Sequence, residues 1–150
     1  MTKLFDNPFI DTLLASAAES PRLRMNHDLR NSPADTSHRM LNALLPGTVV
    51  PVHRHEDTAE TVVCLRGRLW EVLYEEVPAA EGASAGSSAG VSGDASVRAS
   101  GGSNFREVSR HLLCPAEGCH GMQVPAGAWH TIEVLEPSVI FEAKDGAYRG

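Results

Sequence analysis

The chain has 150 residues, enough for about one domain with a sizeable core and no need of a disulfide framework. Lys and Arg number 13 against 19 Asp and Glu, a formal net charge of −6. This argues against sequence-independent nucleic-acid binding, which needs a basic face to displace counterions. No apolar run approaches the roughly 20 residues that span a bilayer.

The opening stretch MTKLFDNPFIDTLLASAAES lacks the charged-then-apolar layout of a signal peptide, and its acidic residues argue against a transit peptide. Three cysteines cannot all pair within the chain. The expectation is therefore a cytoplasmic protein with reduced thiols and no nucleic-acid or membrane partner.

In chain order, the first element is a helix. Asn7 is the expected N-cap, Pro8 suits the first helical position, and Phe9, Ile10, Leu13, Leu14 and Ala17 recur at helical spacing. Ser20-Pro21 ends it. Its expected role is packing on the remainder of the chain, so residues 1–20 form a helix that packs on a barrel built from 21–150. Residues 21–38 are polar and read as an extended arm or loop. The pattern then changes to short strands: Arg39–Leu45, Val49–His53, Thr61–Leu65, Arg68–Glu75, Asn104–Leu113, Gly121–Val124, Trp129–Leu135 and Ser138–Lys144. Many short strands with one helix predict an all-β sandwich or small barrel. Residues 79–103 are mostly Ala, Gly and Ser, a composition that cannot bury enough apolar surface to offset its ordering entropy; they read as a flexible loop insertion.

The residues that carry chemistry begin at His53 and His55. Two apart on a strand, they point to the same face and can reach one ion. Glu60 follows a short polar connection, and a hairpin return brings it back beside the pair. A second stretch, Pro125-Ala-Gly127-Ala-Trp-His130, makes a tight turn that delivers His130 on the next strand, on one face with Ile132 and Val134. Imidazoles with a carboxylate suit a divalent iron, manganese, nickel, cobalt or zinc ion.

These spacings resemble the cupin superfamily. Its first motif, G-x5-H-x-H-x4-E-x6-G, is matched at Gly47, His53, His55, Glu60 and Gly67. Its second motif ends P-x-G-x2-H-x3-N. Pro125, Gly127 and His130 match, while Val134 replaces the final Asn and Cys119 stands where the leading Gly falls. The resemblance implies a single cupin barrel, a double-stranded β-helix or jelly roll, with one metal ion held by His53, His55, Glu60 and His130. A narrower resemblance, to the WbuC-type cupin metalloproteins, rests on Ser20–Asn26, Arg39–Leu44, the HRH triplet, Leu65-Arg-Gly-Arg-Leu, Pro125–His130 and Phe141–Tyr148. That family is bacterial, with some members near genes for surface-polysaccharide synthesis. The resemblance implies a fold and a metal, not a reaction.

Three nitrogens and one oxygen leave about two open positions in octahedral geometry, as a substrate-binding metal requires. The first functional expectation is a metal-dependent enzyme of isomerase, epimerase or lyase type acting on a small oxygen-rich molecule such as a sugar or sugar acid. An iron-dependent dioxygenase is the second. A non-catalytic binding or sensor module is the third. Arg22, Arg24 and Asn26 are candidates for binding a substrate carboxylate or phosphate, against the plainer reading of a solvated arm. Glu142, Lys144 and Tyr148 either line the barrel mouth or bridge subunits, and Tyr148 joins the substrate-binding candidates. Cys64 shares strand parity with Glu60 and Val62 and reads as a core thiol. Cys114 and Cys119, with His111 and His120 near, resemble half of a zinc site without a second ligand pair. Trp129 turns away from His130 and reads as packing. Exposed strand edges predict a homodimer.

Overall fold

A computed structural model describes residues 2–78, 96–98 and 104–147. Helix α1 spans Asn7–Glu19. Its N-cap is Asp6, whose Oδ1 accepts from Phe9 N at 3.1 Å, so the helix starts one residue earlier than the Asn7 cap expected and Pro8 falls within the first turn, where no N–H is needed. Ser20 closes it, donating its N–H to Ala17 O.

Among the described residues seven strands follow: β1 Arg24–Asp28, β2 Ser37–Leu44, β3 Glu60–Val77, β4 Ser96–Arg98, β5 Asn104–Leu113, β6 Gly121–Val124 and β7 Trp129–Asp145. All pair antiparallel in the order β1-β2-β7-β3-β5-β4, with β6 added against β3. Among the described residues no helix is long and apolar enough to cross a membrane.

Four sequence expectations change. The arm is not wholly a loop, because Arg24–Asp28 pairs with Leu44–Met40 as β1. Val49–His53 is not a strand. Pro51 has no N–H to give a ladder, and only His53 bridges, to His130. Thr61–Leu65 and Arg68–Glu75 are one strand, β3, bulged between Cys64 and Leu69. Trp129–Leu135 and Ser138–Lys144 are likewise one strand, β7; Pro137 does not break it because it lies opposite the β3 bulge, where no ladder bond is required. Most of 79–103 lies outside the described residues, but three of its residues form β4 against β5.

The bulge depends on Gly67. Its φ is +106°, and a Cβ there would sit 2.2 Å from Ser138 Oγ and 2.5 Å from Pro137 O. Only glycine fits both the backbone angle and this approach. Ser138 Oγ in turn accepts from Arg68 N at 3.0 Å, tying the two bent strands together.

Among the described residues the buried apolar side chains form three clusters. Ile10, Leu13 and Ala17 of α1 pack on Leu41, Ala43 and Val139, covering the outer face of β2 and β7. Arg66 fixes the helix from below through Asp11 and Asn7. Leu44, Val62, Cys64, Leu69, Leu113 and Ile140 form the second cluster, with Ile132 and Val134 packed against it. Val72, Tyr74 and Phe105 form the third cluster, with the Trp129 ring tilted against Phe105 at a centroid distance of 4.7 Å.

Candidate metal centre

His53 and His130 are joined by a pair of backbone bonds, His53 N to His130 O at 3.0 Å and His130 N to His53 O at 2.8 Å. His55 is tied to the same place because its carbonyl accepts from Gly127 N at 2.8 Å. Gly127, at φ +81°, completes the turn that starts β7. Thr131 Oγ1 donates to Val50 O at 2.5 Å and pins the incoming segment. One small backbone network therefore positions all three histidines. The Pro-x-Gly turn and the HRH triplet, far apart in sequence, are two halves of it.

The rings converge. Centroids lie 4.3 Å apart for His53 and His130, 5.2 Å for His53 and His55, and 5.7 Å for His55 and His130. One ring nitrogen from each falls within 4.8 Å of the others, and this is the one such group of three among the described residues. His53 Nδ1 lies 2.9 Å from Pro51 O, and His130 Nδ1 2.9 Å from Ala128 O. A carbonyl only accepts, so Nδ1 carries a proton in both rings, and Nε2 is the nitrogen left to face the centre.

Glu60 stands beside the triad rather than inside it. Its Oε2 is 3.1 Å from His55 Nε2 and its Oε1 3.5 Å from His130 Nε2. Both Nε2 atoms are buried, yet neither makes a well-aligned hydrogen bond. Buried polar atoms that converge without satisfying one another are costly unless something else binds them. A cation bound by these ring nitrogens once they are unprotonated fits that arrangement, so the residues present suit a metal ion. The cluster can hold one ion; the set of donors does not choose which.

The charges agree. Burial lowers His53, and His130 beside it lowers it further, so this imidazole is neutral, as a ligand must be. Burial alone would raise Glu60, but the His130 and His55 imidazoles outweigh it and hold the carboxyl below the usual carboxylate range. Burial works against protonated His130, but the Glu60 carboxylate and the Ala128 carbonyl together hold it above its ordinary value.

The three histidines line a cavity of about 880 Å³. Its wall carries two further acids, the buried Glu71 and the half-buried Glu142. Glu71, 2% exposed, is pushed up to about 8 chiefly by burial. Glu142 is raised by burial and by the Glu60 charge, and accepts from Asn42 Nδ2 at 3.3 Å. His38 and Lys144 also line it. Arg22, Arg24 and Asn26 are all at this cavity, with Arg24 Nη1 bonded to Val49 O at 2.8 Å. Tyr148 lies outside the described residues. Sequence reasoning singled out Glu142 and Lys144 but missed His38 and Glu71. A buried charge on a strand is a signal for the latter, but its face depends on the bulge.

The remaining candidates separate from the cavity. Cys64 is 3% exposed, donates to Arg66 O, and is pushed up to about 11 by burial, which suits a core thiol and not a nucleophile. Trp129 packs outside, against Phe105 and under the Arg54 guanidinium at 4.6 Å. Among the described residues, no three-ligand group forms around Cys114 and Cys119.

Residues 5–83, more than half of the sequence, match the family described as Domain of unknown function (DUF6016). The chain belongs to this family. No curated protein sequence matches it. Three solved structures resemble it in fold. KdgF from Halomonas sp. is 14% identical, with 87% of this chain and 84% of that chain covered and a TM-score of 0.50. TT1209 from Thermus thermophilus is 19% identical, with 85% and 87% covered and a TM-score of 0.50. An oxalate oxidase in complex with the substrate analogue glycolate is 12% identical, with a TM-score of 0.53; 87% of this chain aligns with 55% of that one. These are cupin proteins, and this DUF6016 chain has the cupin fold, a single β-barrel with one α-helix among the described residues.

Proposed function

We propose that His53, His55, Glu60 and His130 bind one divalent iron, manganese, nickel, cobalt or zinc ion, and that the protein is a metal-dependent enzyme acting on a small oxygen-rich acid or sugar derivative. The observation that carries this reading is the convergence of three ring nitrogens within 4.8 Å, two of them buried and without an aligned partner, in a cavity large enough for a small molecule. The ion would supply Lewis acidity, polarising a carbonyl or hydroxyl. The chain supplies the rest. Arg22 and Arg24 at the cavity can take a carboxylate or phosphate by charge-assisted hydrogen bonds, with Asn26 offering an amide beside them. Glu71 and Glu142 can hold a proton at their carboxyl oxygens near neutrality, the property an isomerase, epimerase or lyase needs of a general acid or base. The fold likeness to an oxalate oxidase holding glycolate is in keeping with a small hydroxy or keto acid. The WbuC-type resemblance of the arm and tail links the reading to bacterial surface-polysaccharide synthesis. Cytoplasmic location and a homodimer complete the proposal, with three free thiols in support of the former.

The test is elemental analysis of untagged protein, wild type beside His53→Ala. About one transition ion per chain, lost in the variant, supports the site. Iron with oxygen-dependent turnover would move the reaction to the dioxygenase class. Protein that holds no metal and cannot be loaded refutes the proposal.

A further inference from the structure

Cys114 and Cys119 face each other at the end of the barrel sheet. Cys114 follows β5, and a 3-10 turn, Pro115–Glu117, then Gly118 in the left-handed region at φ +80° bring the chain straight back to Cys119, just before β6. The two residues exchange both backbone bonds, Cys114 N to Cys119 O at 2.7 Å and Cys119 N to Cys114 O at 3.1 Å. Residues paired in this way have Cα atoms about 5.5 Å apart and side chains on the same side of the ladder. That separation lies within the range a disulfide spans. Both thiols are free. Neither lines the metal cavity.

We infer that Cys114 and Cys119 form a redox-active dithiol that reacts with a low-molecular-weight disulfide of the glutathione type. Exposure sets the order of attack. Cys119 is half-buried beside the exposed residues Ala116–Gly118, whereas Cys114 is 5% exposed. The Cys119 thiolate attacks one sulfur of the small disulfide, whose S–S bond breaks and releases one thiolate. Cys114 then attacks Cys119 Sγ, the mixed disulfide breaks, and a second small thiol leaves. Two protein thiols lose two electrons and two protons, and one small disulfide becomes two small thiols. Arg68 is placed for the second step. Its Nη1 lies 3.9 Å from Cys114 Sγ, and it is ion-paired to Glu117 in the turn, so a cation faces the resolving sulfur. Cys64 takes no part, since its buried thiol donates to Arg66 O. The product would lock the β5–β6 connection. That connection also holds β3, because His120 O accepts from Cys64 N at 2.7 Å.

The full chain, incubated with excess oxidised glutathione, denatured, alkylated and digested with trypsin, decides this. All of 111–144 falls in one peptide and Cys64 in another, 55–66. The expected result is a 111–144 peptide lighter by two hydrogens and closed to alkylation, an alkylated 55–66 peptide, and reversal of the first by dithiothreitol. Cys114→Ser should retain a glutathione adduct on Cys119, and Cys119→Ser should acquire none on the buried Cys114. A wild-type protein that keeps a stable adduct on Cys119, stays fully alkylatable, or cross-links through Cys64 overturns the inference. The wild-type map decides even if either variant fails to fold, and it does not depend on whether the protein holds a metal.

Discussion

Glu71 gives the most demanding test of the cavity electrostatics. Its carboxyl is 2% exposed and held at about 8, against 4.5 for an unburied glutamate. The unfolded chain therefore ionises this group near pH 4.5 while the native chain keeps the proton until about pH 8. Between those limits the native state binds more protons, so stability falls as pH rises, by about 1.4 kcal/mol per pH unit for a full proton. Across the window of 3.5 units obtained by subtracting 4.5 from 8, the upper bound is about 5 kcal/mol, a large part of the ~5–15 kcal/mol that holds a domain together. Glu71→Gln keeps the shape and removes the titration. Urea unfolding of metal-free wild type and variant at intervals from pH 5 to 8.5 isolates the Glu71 contribution, because His53, His130 and Glu142 contribute to both proteins. The difference between the two curves should grow steadily in favour of the variant and reach roughly 2–5 kcal/mol at the alkaline end. A difference that stays flat with pH would refute the claim that Glu71 is held neutral by burial.

The other expectations concern separate parts of the molecule. Gly67→Ala should cost roughly 2–4 kcal/mol by urea unfolding, since it adds a Cβ against Ser138 Oγ and Pro137 O at a positive φ; a loss under about 1 kcal/mol would show that the bulge yields. Loading metal-free protein with zinc near neutrality should release protons, because the Glu60 carboxylate raises His130 and a ligand must be deprotonated. Calorimetry in buffers of different ionisation enthalpy reads this release, which should shrink in His130→Ala. Arg66→Ala removes contacts to Asp11 and Asn7 on an exposed surface, so stability should fall by little, about 1 kcal/mol or less by urea unfolding. Arg24→Ala should weaken binding of an acidic ligand about tenfold, some 1.4 kcal/mol, with metal content unchanged; a loss of metal instead would assign Arg24 to the fold of the centre.

Much of the fold was legible because it is written locally. The helix announces itself through Ile10, Leu13 and Ala17 at one face and a proline in its first turn, and these three are the residues buried against β2 and β7. The strand segments of β5 and β6 were found within their observed bounds because each is flanked by turn residues and not interrupted. What was not legible is continuity. A proline and a glycine, Pro137 and Gly67, look like two independent chain breaks in sequence. In space they face each other across one bulge, so each removes the other's need for a ladder bond, and four short segments become two long bent strands. β1 was missed for a related reason. Its alternation is weak because it is an edge strand, and its pairing is decided by β2 and not by its own side chains.

The same distinction separates the ligands from the rest of the cavity. His53 and His55 share a face whatever the surrounding topology, since that depends on spacing of two along an extended chain. His130 is fixed by the Pro-Ala-Gly turn that precedes it, and the backbone bonds from Gly127 to His55 and from His53 to His130 then bring the halves together. Glu71 has no such local rule. Counting alternately from Glu60 puts Val62 and Cys64, then Trp70 and Val72, on the cavity side, and leaves Glu71 outside. The irregular stretch from Cys64 to Leu69 inverts that parity, so Glu71 pairs with Ile132 and joins the face that carries His130. A single bulge thus does two things. It bends β3 so that the sheet can close, and it delivers a buried acid to the wall of the metal cavity. Gly67, the last residue of the motif whose earlier positions are metal-ligand candidates, is part of that site although it never touches it.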